Sequence, residues 1–197
     1  MKRVITISRE FGSGGRSIGR MVAEKLGYAF YDRELVKEVA KRSGFAPEFI
    51  EESGEYASTR HSLLFSLATA NQFSADGLSV TDRLFLEQNK IIEELAEQGG
   101  CVIVGRCADY ILRDRRDALH VFIHASLDSR AKRIVELYGE GEKAPEKRLA
   151  EKDQKRKVYY KNYTSRCWGQ AQNYDLCLNS SVLGLEACAE FIVQAAK

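Results

Sequence analysis

The residues best suited to chemistry lie near the start of the chain, in Ser8-Arg9-Glu10-Phe11-Gly12-Ser13-Gly14-Gly15-Arg16-Ser17-Ile18-Gly19. Gly12, Gly14 and Gly15 permit backbone angles that other residues resist, and they let the main chain approach an anion closely. Ser13 completes the turn, Arg16 adds a fixed positive charge, and the Ser17 hydroxyl is placed to ligate Mg²⁺. The flanks give the turn its meaning. Val4-Ile5-Thr6-Ile7 reads as a strand, and Arg20-Met21-Val22-Ala23-Glu24-Lys25-Leu26, stopped at Gly27, reads as a helix. In a strand–glycine loop–helix unit, loop amides and the positive helix end face one point, which suits phosphate. The pattern departs from the usual phosphate loop (Gly, four residues, Gly-Lys-Ser/Thr), because Glu10 replaces the first Gly and Arg16 the Lys. An ordinary glycine turn is the competing reading. Context favours the phosphate reading.

Three further groups are candidates. Asp32 ends the short run Tyr28-Ala29-Phe30-Tyr31, where a carboxylate could hold a Mg²⁺-bound water or a substrate hydroxyl, or could cap the helix that begins at Arg33. Arg106 follows Gly105 at the end of Cys101-Val102-Ile103-Val104. Buried arginines seldom lack an anionic partner, so its guanidinium is expected to face a substrate phosphate. Residues 145–166 form the strongest charge run, with Lys155 and Arg156 among its cations and Tyr159, Tyr160 and Tyr163 interleaved. A solvated helix, an RNA-binding stripe and a lid lowering cations over a triphosphate all match that composition. A phosphate loop elsewhere in the chain favours the lid, since phosphoryl transfer needs positive charge and exclusion of water.

The bulk properties exclude several classes. A chain of 197 residues with 44% hydrophobic content suits one α/β core with an insertion. The balance of 30 basic against 28 acidic residues gives no argument for a nucleic-acid partner, and nucleic acid is not the expected ligand. No apolar run approaches the ~20 residues needed to span a bilayer. The apolar stretch after Met1-Lys2-Arg3 is too short for a leader, which points to the cytosol. Five cysteines without a Cys-x-x-Cys pair argue against zinc or a disulfide framework. Cys101, Cys177 and Cys188 read as core residues, and Cys107 and Cys167 lie in polar stretches. His61 has no Asp or Ser partner at useful spacing, and His120 and His124 read as packing or edge residues.

These residues must be held by a regular frame. Helical spacing marks Arg33–Ala40, Tyr56–Ala70 and Val80–Glu97, with no convincing strand in residues 41–100. Leu119–His124 reads as a fourth strand and Asn173–Leu178 as a fifth. Between them a helix opens at Ala125-Ser126, with Ser126 as its N-cap. Trp168-Gly169-Gln170 reads as a hinge, and Leu185–Ala196 as the closing helix. Strands alternating with helices imply a parallel sheet covered on both faces. The phosphate loop, Asp32 and Arg106 all fall at carboxyl ends of strands, where such sheets bind ligands.

Several stretches together resemble the cytidylate kinase-like family: Ile5–Arg16, Phe30-Tyr31-Asp32, Val102–Tyr110, Tyr159–Tyr163, Trp168-Gly169 and Tyr174–Ser180. The resemblance implies a three-layer P-loop kinase fold in a single domain. Its core would span 1–40, 99–138 and 168–197, its helical acceptor-binding lobe about 41–98, and its lid about 139–167. It also implies ATP and Mg²⁺ with a nucleoside monophosphate acceptor, CMP or dCMP favoured. Gly12 to Ser17 would hold the ATP phosphates and metal, with Asp32 near metal or acceptor. Arg106 would contact the acceptor phosphate, Arg130 would lie along the adenine, and Asn179 and Ser180 would border it. Arg156 with Lys155 or Lys152 would reach over the transferred group. Two departures bear on the acceptor. Cys107 stands where that family's cytidylate kinases carry Asp, leaving Asp109 as a substitute, and Glu38 stands where they carry an arginine.

Overall fold

The computed structural model describes residues 2–44, 46, 47, 50 and 79–197. The helix expected at Tyr56–Ala70 and His61 lie outside them.

Five strands form one wholly parallel sheet in the order β2-β3-β1-β4-β5. They are β1 (Val4–Arg9), β2 (Ala29–Tyr31), β3 (Cys101–Val104), β4 (Ala118–His124) and β5 (Leu176–Asn179). β1 lies at the centre and every residue in it is buried. A strand covered on both faces needs apolar side chains on both, which explains its unbroken β-branched run. Its alternation nevertheless separates two layers. Ile5 and Ile7 pack with Val121 and Ile123 against α1 (Gly15–Leu26) and, through Cys188 and Ile192, against the closing helix Leu185–Ala196. Val4, Cys101, Ile103 and Ala118 face the other way. They pack on α2 (Arg33–Ser43), α3 (Val80–Gln98) and the short α4 (Ala108–Ile111) through Leu35, Val39, Leu84 and Ile91. The result is the three-layer P-loop kinase fold.

Two helices stand over the carboxyl ends of the strands. α5 (Leu127–Tyr138) starts at Ser126, whose hydroxyl accepts from the Ser129 amide, as its sequence signal predicts. α6 (Pro145–Thr164) has Pro in its first turn and buries Leu149, Asp153, Arg156, Tyr159, Tyr160 and Thr164. The chain then closes through a 3₁₀ turn at Ala171–Asn173, α7 (Ser180–Leu183) and α8 (Leu185–Ala196).

Some expectations are corrected. The fifth strand begins at Leu176, because Ala171–Asn173 coils into the 3₁₀ turn. Cys177 is exposed, since β5 is an edge strand, and Cys107 is buried. The interleaved tyrosines of α6 are packing residues: Tyr159 and Tyr160 join Cys107, Phe85, Tyr163 and Trp168 in one aromatic cluster. Trp168 is no free hinge. Its ring meets Phe122 edge-on at 5.3 Å, and a side chain on Gly169 would come within 3.0 Å of the same ring. The carboxyl half of α6 is therefore built into the domain.

Candidate functional site

The glycine turn joins β1 to α1. Gly14, the N-cap of α1, sits at φ 81°, and a Cβ there would lie 2.5 Å from Leu185 Cδ2. Only glycine meets both demands. Ser13 folds inward, with its hydroxyl on the Glu10 carbonyl at 2.9 Å and its amide on the same oxygen at 3.3 Å. The amides of Gly12, Gly14, Gly15, Arg16 and Ser17 find no acceptor among the described residues. Those of Gly15, Arg16 and Ser17 belong to the first turn of α1, whose N–H groups point out along the helix axis. Such a set of donors at a helix's positive end forms a cradle that can accept a phosphate.

Around the cradle, Arg16 Nε lies 2.5 Å from Asp32 Oδ2 but out of line for a hydrogen bond. Asp32 precedes α2 without capping it through its side chain, so its carboxylate serves Arg16 instead. Ser17 is exposed beside them. One hydroxyl and one carboxylate suit Mg²⁺, which keeps several waters and takes further oxygens from the phosphates it serves. Glu10, the residue where a phosphate loop usually has glycine, has a structural task. Its Oε2 accepts from the Ala125 amide at 3.1 Å and lies 3.5 Å from Arg130 Nε, tying the turn to the start of α5.

Four arginines are buried near these strand ends: Arg9, Arg106, Arg130 and Arg156. Arg106 and Cys107 follow Gly105 with φ 61° and 56°, two side-chained residues in the left-handed region. Such strain persists only where the surroundings enforce it, and it concentrates at functional sites. The Arg106 guanidinium donates to the Ile50 carbonyl at 3.1 Å and to Gln88 Oε1 at 3.4 Å, against the insertion. Gln88 is in turn held near Tyr159 of α6 at 3.3 Å. Arg156 donates to the Arg9 carbonyl at 3.0 Å, over the end of β1. Lys155 is half-buried beside it, without an ion pair among the described residues.

Four of the predicted site residues have partners within the protein. Arg130 pairs within the protein: its Nη1 is 2.5 Å from Asp153 Oδ2 and 3.3 Å from the Phe11 carbonyl. Ser180 is buried and braces the glycine turn through the Ser13 carbonyl at 2.6 Å. Asn179 Oδ1 accepts from the amide and hydroxyl of Ser181, capping α7. Asp109 is buried and takes hydrogen bonds from Tyr160 at 2.6 Å and Ser8 at 3.1 Å. It links the sheet to α6. Burial pushes the Asp109 carboxyl above its usual range, against the pull of Tyr160 and Ser8. Burial likewise lowers the pKa of His120, whose Nδ1 meets Thr6 Oγ1 at 2.8 Å.

Sequence reasoning missed Asp153 and Gln88. Asp153 did leave a signal: Leu149, Asp153, Arg156 and Tyr160 recur at helical spacing, so a carboxylate lies on the buried stripe.

Comparison with known proteins agrees with this fold. The sequence profile of the cytidylate kinase-like family matches residues 4–182. A cytidylate kinase from Archaeoglobus fulgidus is 29% identical over 197 residues, covering 97% of this chain and 93% of that protein. An uncharacterized protein from Eubacterium ventriosum superposes with a TM-score of 0.74 at 27% identity, over 98% of this chain and 97% of the other. A shikimate kinase from Acinetobacter baumannii, solved with shikimate, shares the fold at a TM-score of 0.56 and 16% identity, over 98% of this chain and 92% of that chain.

Proposed function

This chain belongs to the cytidylate kinase-like family, and from that premise we propose that it transfers the γ-phosphoryl group of ATP to a small phosphorylated acceptor, with Mg²⁺. Family and fold together make it a kinase-type enzyme for a small nucleotide or related acceptor. The observation that carries the donor side is the set of amides from Gly12 to Ser17 at the head of α1.

In this reading the amides and Arg16 hold the phosphates, and Ser17 and Asp32 hold Mg²⁺. The metal, when bound, neutralises charge on the phosphate oxygens and polarises the bond to the transferred group. Arg106 meets the acceptor phosphate, and Arg156 with Lys155 covers the migrating phosphoryl group. No covalent intermediate is needed, since positioning and fixed positive charge supply the rate. The buried aromatic underside of α6 excludes water from one flank of the site.

CMP and dCMP are the first acceptors to test, on the strength of the archaeal relative's name. A second reading has its own support: Asp109, the substitute for a base-reading carboxylate, is engaged by Tyr160 and Ser8. That favours a same-fold kinase for another small acceptor. An ADP-release assay with CMP, dCMP, UMP, AMP and non-nucleotide phosphates separates the two. Turnover with cytidine nucleotides above the rest supports the first, and turnover only with other acceptors supports the second. ATP binding without turnover of any acceptor refutes both.

A further inference from the structure

On the rim of the phosphate turn, one carboxylate gathers three elements. Asp153 of α6 accepts from the Phe11 amide through Oδ1 at 2.8 Å and pairs with Arg130 of α5 through Oδ2 at 2.5 Å. Arg130 closes the triangle by donating to the Phe11 carbonyl at 3.3 Å. Both polar groups of Phe11 are thus clamped, one by each member of an ion pair whose side chains are 10% exposed. On its far side Arg130 lies 3.5 Å from Glu10. A carboxylate–guanidinium–carboxylate bridge therefore runs from the first residue of the turn to the middle of α6.

We propose that Asp153 is a positioning residue for phosphoryl transfer, the latch that seats α6 on the phosphate turn and so sets the reach of Arg156. The inference rests on the kinase reading above. Arg156 lies three positions further along the same buried stripe, with its Nη1 4.0 Å from Asp153 Oδ1 and its guanidinium carbon 6.0 Å from the centre of the Phe11 ring. An aromatic ring, a carboxylate and the Arg9 carbonyl together fix where that guanidinium sits. Asp153 is not placed to hold ATP itself, because the free amides and Arg16 lie further along the turn. Its loss should therefore appear in the chemical step and leave nucleotide binding nearly intact. The latch is specific to a carboxylate. An amide at this position could still accept from Phe11, but it would remove the nearer of the two carboxylates that face the buried Arg130 charge.

The test compares wild type with Asp153→Asn, Asp153→Glu and Arg130→Lys by steady-state kinetics, and by amide hydrogen exchange without nucleotide. Asp153→Asn is expected to lower kcat about tenfold or more while the ATP KM moves less than about threefold. Asp153→Glu, which keeps the charge, should regain part of kcat. In wild type the Phe11 amide and the amino half of α6 should exchange slowly, and about tenfold faster in Asp153→Asn. Arg130→Lys should accelerate the same amides. An unchanged kcat, a loss confined to KM, or unchanged Phe11 exchange overturns the latch. Should wild type turn over no acceptor, the kinase reading falls instead, and the exchange data alone decide whether the latch exists.

Discussion

Replacing Gly14 by alanine is a sharp test of the phosphate turn, because two separate costs fall on one methyl group. The first is conformational. At φ 81° an alanine pays for left-handed backbone, about 1–2 kcal/mol. The second is steric: the new Cβ would stand 2.5 Å from Leu185 Cδ2 and 3.2 Å from an Arg133 nitrogen. The Arg133 side chain can swing away. Leu185 sits at the start of α8, partly buried against the core, so its displacement carries an overpacking cost of about 1–3 kcal/mol. The sum, about 2–5 kcal/mol, is a large share of the ~5–15 kcal/mol that holds an ordinary domain together. Urea unfolding of Gly14→Ala, Leu185→Ala and the double variant divides it. Trimming Leu185 removes the clash and leaves the backbone cost, so the double variant should be more stable than additivity predicts by at least ~1 kcal/mol. Activity should not recover with stability. The α1 amides stay displaced as long as residue 14 is strained, and kcat/KM for ATP should remain at least about tenfold down in both variants carrying Gly14→Ala. Additive stabilities, or a double variant with wild-type kcat/KM, would refute the packing argument and the cradle respectively.

Arg16→Ala and Arg106→Ala should each remove about 2–3 kcal/mol of transition-state stabilisation, read as kcat/KM with the best acceptor. Activity surviving both changes would remove these residues from the mechanism. Tyr160→Phe deletes a donor to the buried Asp109 carboxylate and should cost about 1.5–3 kcal/mol in urea unfolding. His120, with a native pKa below its ordinary 6.5, makes its contribution fully only above that value. Because the unfolded chain binds the proton more readily, stability is lost as pH falls from 6.5 through the lowered native pKa. Asp109, raised, acts in the opposite sense, gaining stability as pH drops through its native pKa toward 3.8. His120→Gln should therefore flatten the loss just below pH 6.5, measured by unfolding at a series of pH values, and an unchanged slope there would exclude His120 as its source.

Local pattern revealed most of the frame. The β-branched runs of β1 and β3, the Ser126 cap and the periodicity of α3 and α8 are each written in neighbouring residues, and the structure contains them at nearly the expected bounds. Glycine spacing likewise announced the turn before α1. The partners of charged side chains were not legible, because they are set by tertiary approach. Arg130 and Asp153 are 23 positions apart, Ser180 and Ser13 are 167 apart, and nothing local says that they meet. The same holds for Glu10, which looked like a defect in the motif and is a brace to Ala125. Tyr159, Tyr160 and Tyr163 illustrate a different limit. Composition offered a solvated helix, a nucleic-acid surface or a lid, and only packing against Phe85, Cys107 and Trp168 tells which face of α6 is inside.

The anchored tyrosines make α6 a lever with its fulcrum near Tyr159. At about 1.5 Å per residue, Arg156 lies only ~4–5 Å from that fulcrum, Asp153 ~9 Å and Leu149 ~15 Å. A swing of about 10° would carry Leu149 through some ~2–3 Å yet shift the Arg156 backbone by less than ~1 Å. That end is held as well, because Leu149 is fully buried with Ala131, Ile134 and Phe11, so such a swing would have to break this packing together with the Asp153–Arg130 pair.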